Sequence, residues 1–208
     1  MLIPTEKFLS VLLKNKITIN GVLHIGAHDC EELPFYNEIC NTESIIWIDA
    51  LEFKVNEQKA KGVKNIFCAV ISDKDNEDVN FNVSNNYASS SILPLGTHTV
   101  EHPHIHYIGY IQTKTVTVDT FLERNNLDPS KYNFWNIDIQ GADLLALKGG
   151  INALKHANVL YLEVNEKELY EGCPHMNDID NFVSKYGFTR VLTEITKHGW
   201  GDAVYIKN

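Results

Sequence analysis

The stretch VLHIGAHDCEELPFY, residues 22–36, decides the fold. A short apolar run meets one glycine, Gly26, then passes through His28, Asp29, Glu31 and Glu32 into residues with helical apolar spacing. A strand feeding a helix across a tight turn is the first half of a βαβ unit. Working outward, the helix 31–40 is followed by the apolar run SIIWIDA (44–50), a helical run over 54–61, and VKNIFCAVIS (63–72), which reads as one further strand. Strands and helices that alternate in this way build a parallel sheet covered on both faces.

The second half repeats the scheme. YNFWNIDIQG (132–141) reads as a strand that ends in polar residues, ADLLALKGGINAL (142–154) as one helix, and ANVLYLEV (157–164) as another buried strand. Trp47, Phe134 and Trp135 fall inside these strands and are assigned to the core. After a helix over 177–186 come FTRVLTEI (188–195) and DAVYIKN (202–208). The gap between them is too short for a crossover helix, so they form an antiparallel hairpin. A mostly parallel sheet of seven strands closed by such a hairpin, in a three-layer α/β sandwich, is the organisation of class I methyltransferases. Between the halves, residues 84–112 form a long loop poor in helical periodicity, which predicts a substrate lid.

With 208 residues and 44% hydrophobic content the chain forms one domain, residues 1–208, in which 1–20 is a capping amphipathic helix. A net charge of −9, with scattered Lys and Arg, excludes a protein that blankets phosphates, so no nucleic-acid partner is expected. No apolar run approaches the roughly 20 residues that span a bilayer, and the N-terminal stretch lacks a basic leader. Cys30, Cys40, Cys68 and Cys173 show no CxxC pairing, which argues against zinc and predicts reduced interior thiols in a cytoplasmic protein.

In an open α/β sheet, ligands sit beyond the carboxyl ends of the strands where the strand order reverses, which makes the turn after residue 25 the expected cradle. A dinucleotide site wants GxGxxG there, and this chain has Ala27, His28 and Cys30 instead. Asp29, Glu31 and Glu32 repel phosphate and favour a cation. Asp49, about twenty residues on at the end of the second strand, suits two ribose hydroxyls. A cationic nucleoside without phosphate, S-adenosylmethionine, satisfies both features.

The chain resembles the FkbM-type branch of S-adenosylmethionine-dependent methyltransferases. The matching pieces, in the family's order, are IGAHDCEELPFY, IIWIDA, AVISDKD, NNYASSSIL, VTVDTFL, YNFWNIDIQGADLLALKGG, VLYLEVNEKELYEG, YGFTR and GDAVYIKN. The resemblance implies methyl transfer to an oxygen, on a sugar hydroxyl of a glycan or glycoconjugate. It also implies a cofactor site made of His24, Gly26, Ala27, His28, Asp29, Glu32, Asp49, Ala50, Ala69, Val70 and Asp138. Three positions depart from the family pattern: His24 stands where an acidic residue is common, Cys30 where a small one is usual, and Asp49 where Glu is frequent.

Methyl transfer asks the protein to align an acceptor and manage its proton. Asp138, at the end of its strand, is the expected base, Gln140 orients the acceptor, and Glu163 ends the neighbouring strand as a second carboxylate. Two carboxylates without a third ligand make a poor Mg2+ cage, so magnesium is possible but not expected. His98, His102, His104 and His106 fall in the lid; His102 is a further base candidate, and His104 and His106 are candidate acceptor contacts. The family match adds Tyr87, Ser89, Ser90 and Ser91 as acceptor or cofactor-edge contacts. The alternatives are transfer to a small natural product or an amine, and a methyltransferase fold that binds without turnover.

Overall fold

Four strands of the main sheet are buried along their whole length: β1 (Val22–Ile25), β2 (Ile45–Asp49), β7 (Phe134–Ile137) and β8 (Val159–Asn165). Strands buried on both faces need helices above and below the sheet. A computed structural model describes residues 1–208 and shows that arrangement. The sheet has seven strands in the order β3-β2-β1-β7-β8-β10-β9, with β3 (Ile66–Cys68) at one edge. At the other edge β10 (Trp200–Lys207) runs antiparallel between β8 and β9 (Phe188–Ile195), as the short gap between the last two strands requires.

Alternate residues of the strands feed two cores. Leu23, Ile25, Ile48, Trp135, Ile137 and Leu162 pack on one face, and Val22, Ile45, Trp47, Phe134, Val159 and Tyr161 on the other. Each fully buried aliphatic or aromatic side chain contributes about 1.5–3 kcal/mol. The second core is closed by α1 (Thr5–Lys14), whose Phe8 and Leu12 face inward, with Phe8 stacked at 5.1 Å on Phe134. The remaining helices are α2 (Leu33–Ile39), α3 (Glu52–Ala60), α5 (Val118–Arg124), α6 (Asp143–Gly149) and α7 (Met176–Val183), with the single turn α4 (His98–Glu101). None is long and apolar enough to cross a membrane.

The structure departs from the sequence reading in four places. Residues 63–72 are two strands: Ala69 donates its N–H to the Asp49 carbonyl at 3.0 Å, and the chain then leaves the main sheet. The next strand, β4 (Val70–Ile71), instead pairs with β6 (Tyr107–Val116) in a second sheet, order β4-β6-β5, with β5 at Asp78–Ser84. The end of the expected lid, 107–112, is therefore strand, paired antiparallel with β5 from Tyr107 opposite Ser84 to Gln112 opposite Asn80. The helix expected over 142–154 breaks after Gly149. A Cβ on Gly149 would meet the Ser72 carbonyl and one on Gly150 the Trp135 ring, so backbone packs there and a 3-10 turn, Ala153–His156, follows. Finally, Cys30 and Cys173 are buried thiols, but Cys68, on the edge strand, is exposed.

Strand order reverses between β1 and β7, where the chain winds outward on either side, so the crevice opens at their carboxyl ends. Gly26 follows β1 and Asp138 follows β7 directly.

Candidate active site

The turn after β1 is built around close backbone contact. Gly26 has φ +97° and leaves no room for a Cβ beside the Asp138 carbonyl. The N–H groups of Gly26 and Ala27 both donate to the Ile48 carbonyl, at 2.8 and 3.0 Å. Asp49, 9% exposed, ties the turn down: its Oδ2 accepts the His28 N–H at 2.7 Å and its Oδ1 the Leu51 N–H at 2.8 Å. Burial raises its pKa, and these two N–H groups offset part of that rise. Each carboxylate oxygen keeps acceptor capacity for one further donor.

Asp49 borders a cavity of about 550 Å³ whose walls are Ile48, Leu51, Val70, Ile71, Phe81 and Ile92, with Ala50 and Ala69 beside them. No Lys or Arg lines it. An apolar slot with Asp49 at its rim, Asp138 at its mouth and no Lys or Arg fits an uncharged base and a ribose, and offers a phosphate nothing. Tyr87 and Ser90 also line this cavity.

A second cavity of about 690 Å³ adjoins it through Gly26, His28, Ala88, Asp138 and Gln140. Six carboxylates line it, from Asp29, Glu31, Glu32, Asp138, Glu163 and Asp202, and again no Lys or Arg. Asp29 is already paired: it accepts Lys54 Nζ at 3.0 and 3.1 Å and Gln58 Nε2 at 2.8 Å. Burial pushes its pKa up, but the Lys54 bond and the charges of His28, Lys54 and Lys61 outweigh this and leave it lowered. His28, Asp29 and Glu31 bring ligand atoms within 4.8 Å of one another. With Asp29 committed to Lys54, that group is short of oxygen ligands for a hard cation.

His24, 2% exposed, is held neutral mainly by burial, against the pull of Glu32. Asn136 Nδ2 donates to the Tyr36 hydroxyl at 2.6 Å, so that hydroxyl in turn donates to His24 Nδ1, 3.0 Å away. A buried neutral network thus occupies the position two residues before Gly26. On the far wall, Tyr161 donates its hydroxyl to Asp202 Oδ2, which also accepts the Leu2 N–H.

Where the two cavities meet, Asp138, Gln140 and Glu163 form one cluster. Gln140 Nε2 donates to Asp138 Oδ1 at 2.6 Å and to Glu163 Oε2 at 2.8 Å. Glu163 is 4% exposed, and its Oε1 has no donor. Burial, then the charges of Asp138 and Asp143, lift the Glu163 pKa well above the ordinary value. Asp138 is exposed to the cleft but enclosed by protein on its other sides. That enclosure and the charge of Asp202 raise its pKa, while Gln140 opposes the rise. Solvent at the open side eases charge on Asp138 and full burial penalises it on Glu163, so within the pair the proton favours Glu163. Asp143, buried at the start of α6, also has a strongly raised pKa, from burial and then from Asp138; the N–H groups around it are not aligned for full hydrogen bonds.

The lid residues divide. Ser91 Oγ donates to the Gln140 carbonyl at 2.8 Å, and Ser89 is buried behind it. His102, His104 and His106 line neither cavity. Backbone pairing fixes this course: Gly96 and His98 donate to the Leu169 carbonyl and Glu171 to that of Pro94, while Asn85 bonds the His104 carbonyl and both backbone groups of His106. The His102 ring instead sits 4.7 Å from His198 and 5.0 Å from His98, and burial followed by the His198 charge lowers its pKa. This placement corrects the expectation of His102 as a base and of His104 and His106 as acceptor contacts. The sequence reading passed over Lys54, Tyr36, Asn136, Tyr161, Asp202 and Tyr170. Tyr170 lies within the quoted ELYEG piece, but its hydroxyl reaches Gln140 Oε1, at 2.6 Å, only through the tertiary fold.

The methyltransferase FkbM domain profile matches residues 24–190. No curated protein sequence matches the chain. Among solved structures, magnesium protoporphyrin IX methyltransferase from Synechocystis PCC 6803 with bound S-adenosylmethionine is 12% identical, over 98% of this chain and 78% of its own, at TM-score 0.49. An S-adenosylmethionine-dependent methyltransferase from Clostridium acetobutylicum is 8% identical over 98% and 90%, at TM-score 0.48. A putative tRNA (m1A22) methyltransferase from Streptococcus pneumoniae is 11% identical over 97% and 70%, also at TM-score 0.48.

Proposed function

This chain belongs to the methyltransferase FkbM domain family, and from that premise we propose that it transfers the methyl group of S-adenosylmethionine to an acceptor oxygen, a sugar hydroxyl of a glycan or glycoconjugate. The observation that carries the reading is the junction of the two cavities. An apolar slot with Asp49 at its rim opens at Gly26 onto an acid-lined chamber, and Asp138 and Gln140 stand at the opening. Bound there, S-adenosylmethionine supplies a methyl group already activated by its sulfonium.

The chain's own residues have three tasks. Asp49 and the apolar walls hold the nucleoside. The carboxylates of the second chamber favour positive charge and disfavour an anionic acceptor. Asp138, ionised and open to the cleft, accepts the hydroxyl proton as the oxygen is methylated. Gln140 keeps Asp138 in place meanwhile, and Glu163 stays protonated so that the two carboxyls do not repel each other. A positioned base of this kind contributes typically about 10²–10⁴-fold. The same acidic chamber favours a second reading, transfer to a small natural product that carries an amine.

Calorimetry with S-adenosylmethionine, S-adenosylhomocysteine and NAD tests the cofactor; the first two bind and NAD does not. A panel of glycans incubated with S-adenosylmethionine then shows a mass gain of one methyl group in its acceptor. An Asp138→Asn variant keeps S-adenosylhomocysteine affinity and loses turnover. Full turnover in that variant removes the base assignment.

A further inference from the structure

We propose that Tyr170 is a positioning residue of the transfer site, whose hydroxyl holds the Gln140 amide with its NH2 group toward Asp138 and Glu163. The inference rests on the methyl-transfer reading above for the location of the reacting groups. It stands on the geometry of one turn. Gln140 follows β7 in the left-handed region, φ +56°, and Gly141 follows at φ +89°. A Cβ on Gly141 would sit 2.9 Å from Cys173 Cβ and 3.1 Å from Tyr170 Cβ, so this backbone rests directly on the 170–173 segment. The Tyr170 hydroxyl donates to Gln140 Oε1 at 2.6 Å; its other acceptor, the Ser89 carbonyl, lies at 3.4 Å. Tyr170 is itself fixed by an antiparallel bridge to Leu95 and is fully buried.

An amide has nearly the same shape either way round, so something must choose its orientation. Two ionised carboxylates would choose it unaided. Here one of the two is protonated, and a turned amide finds partners as well: the Glu163 hydroxyl donates to its oxygen, and its NH2 donates to the Tyr170 oxygen. Only Asp138 then faces a carbonyl. The Tyr170 hydroxyl lies 2.6 Å from Oε1 and 3.4 Å from the Ser89 carbonyl, so its proton goes to the nearer acceptor and holds the NH2 group toward Asp138. Tyr170 thereby sets what Asp138 sees, through Gln140 and without touching the reacting atoms.

The test needs no acceptor. S-adenosylmethionine carries a positive sulfur and S-adenosylhomocysteine a neutral one, so the ratio of their affinities reports the charge facing the sulfur. That charge belongs to Asp138, with Glu163 on β8, Asp202 on β10, Asp143 at the start of α6 and the Met1 amino group around it. In the unaltered protein the ratio falls as pH drops and Asp138 takes a proton. In Tyr170→Phe the amide oxygen loses its donor, the Gln140 side chain is no longer held against the two carboxyls, its bond to Asp138 weakens, and the fall occurs at higher pH. Below both midpoints the ratio is then about threefold below that of the parent, an offset of about half a pH unit, while S-adenosylhomocysteine affinity above them stays within about twofold. Gln140→Leu shows the same displacement, and adding Tyr170→Phe to it changes nothing further. An unmoved midpoint, an equal weakening of both ligands, additive effects in the double variant, or a pH-independent ratio in the parent each overturns the proposal. Failure of both ligands to bind the parent protein sinks the cofactor reading instead, and Tyr170 with it.

Discussion

Replacing Asp49 by Asn keeps the size of the side chain and removes one of its two acceptor oxygens. The carboxylate accepts two backbone N–H groups, His28 at 2.7 Å and Leu51 at 2.8 Å, and keeps one acceptor direction per oxygen for the ribose. The amide can satisfy only one N–H and turns its NH2 group against the other. Hydrogen bonds to a charged group contribute about 1.5–3 kcal/mol each, and a buried N–H left unpaired costs about 1–3 kcal/mol. The variant therefore loses about 1–3 kcal/mol of stability, read by urea denaturation. It also loses at least one ribose contact, which at about 1.4 kcal/mol per decade is a roughly 10–100-fold weaker Kd for S-adenosylhomocysteine. A distorted turn would weaken every ligand alike, so the control is 2′,3′-dideoxyadenosine, which lacks both hydroxyls. The loss should nearly vanish for it. An equal loss for both ligands, or undiminished affinity for S-adenosylhomocysteine, refutes the assignment of Asp49 to the ribose.

Gly26→Ala places a methyl group against the Asp138 carbonyl at φ +97°; strain and overlap together destabilise it by about 2–4 kcal/mol in denaturant titrations. Glu163→Gln removes a carboxyl whose folded-state pKa lies well above its unfolded value. The parent then holds its full share of stability below the ordinary Glu range and loses it as pH rises, by at most about 1.4 kcal/mol per pH unit, so the melting-temperature advantage of the variant widens from about pH 5 to pH 8. A gap that narrows with rising pH contradicts a protonated Glu163.

The fold was legible because its deciding elements are buried on both faces, and buried strands write themselves as apolar runs: residues 45–48, 134–137 and 159–164 need no partner to be read. The final hairpin followed from the shortness of its connection. The ends of those strands then located Gly26, Asp49, Asp138, Gln140 and Glu163 at the cleft, since in a parallel sheet the carboxyl ends converge. What escaped depended on pairing between distant segments. Nothing local in VKNIFCAVIS says that the chain changes sheets after Ala69, because both halves are equally apolar and the choice belongs to β6 forty residues on. The run of histidines looked like a lid for the same reason. Its direction is set by bonds to 168–171 at one end and to Asn85 at the other, and a sequence does not show which way a loop lies.

The acidic chamber carries the remaining lesson. Glu163, Asp143 and Asp202 are buried, and burial raises the pKa of each. A fold selected for stability alone would replace such groups with apolar ones of similar volume, since buried charge repays its desolvation only with well-placed partners. The cluster is instead half-satisfied. Gln140 serves the carboxyls of Asp138 and Glu163 at once, and one oxygen of Glu163 goes without a partner. Around Lys54, by contrast, the same chain pairs Asp29 with a buried cation, so it can neutralise an acid where neutrality is wanted. On the proposed reading, the negative charge left open beside Gly26 is what a cationic sulfur completes, and it would repel the pyrophosphate of a dinucleotide.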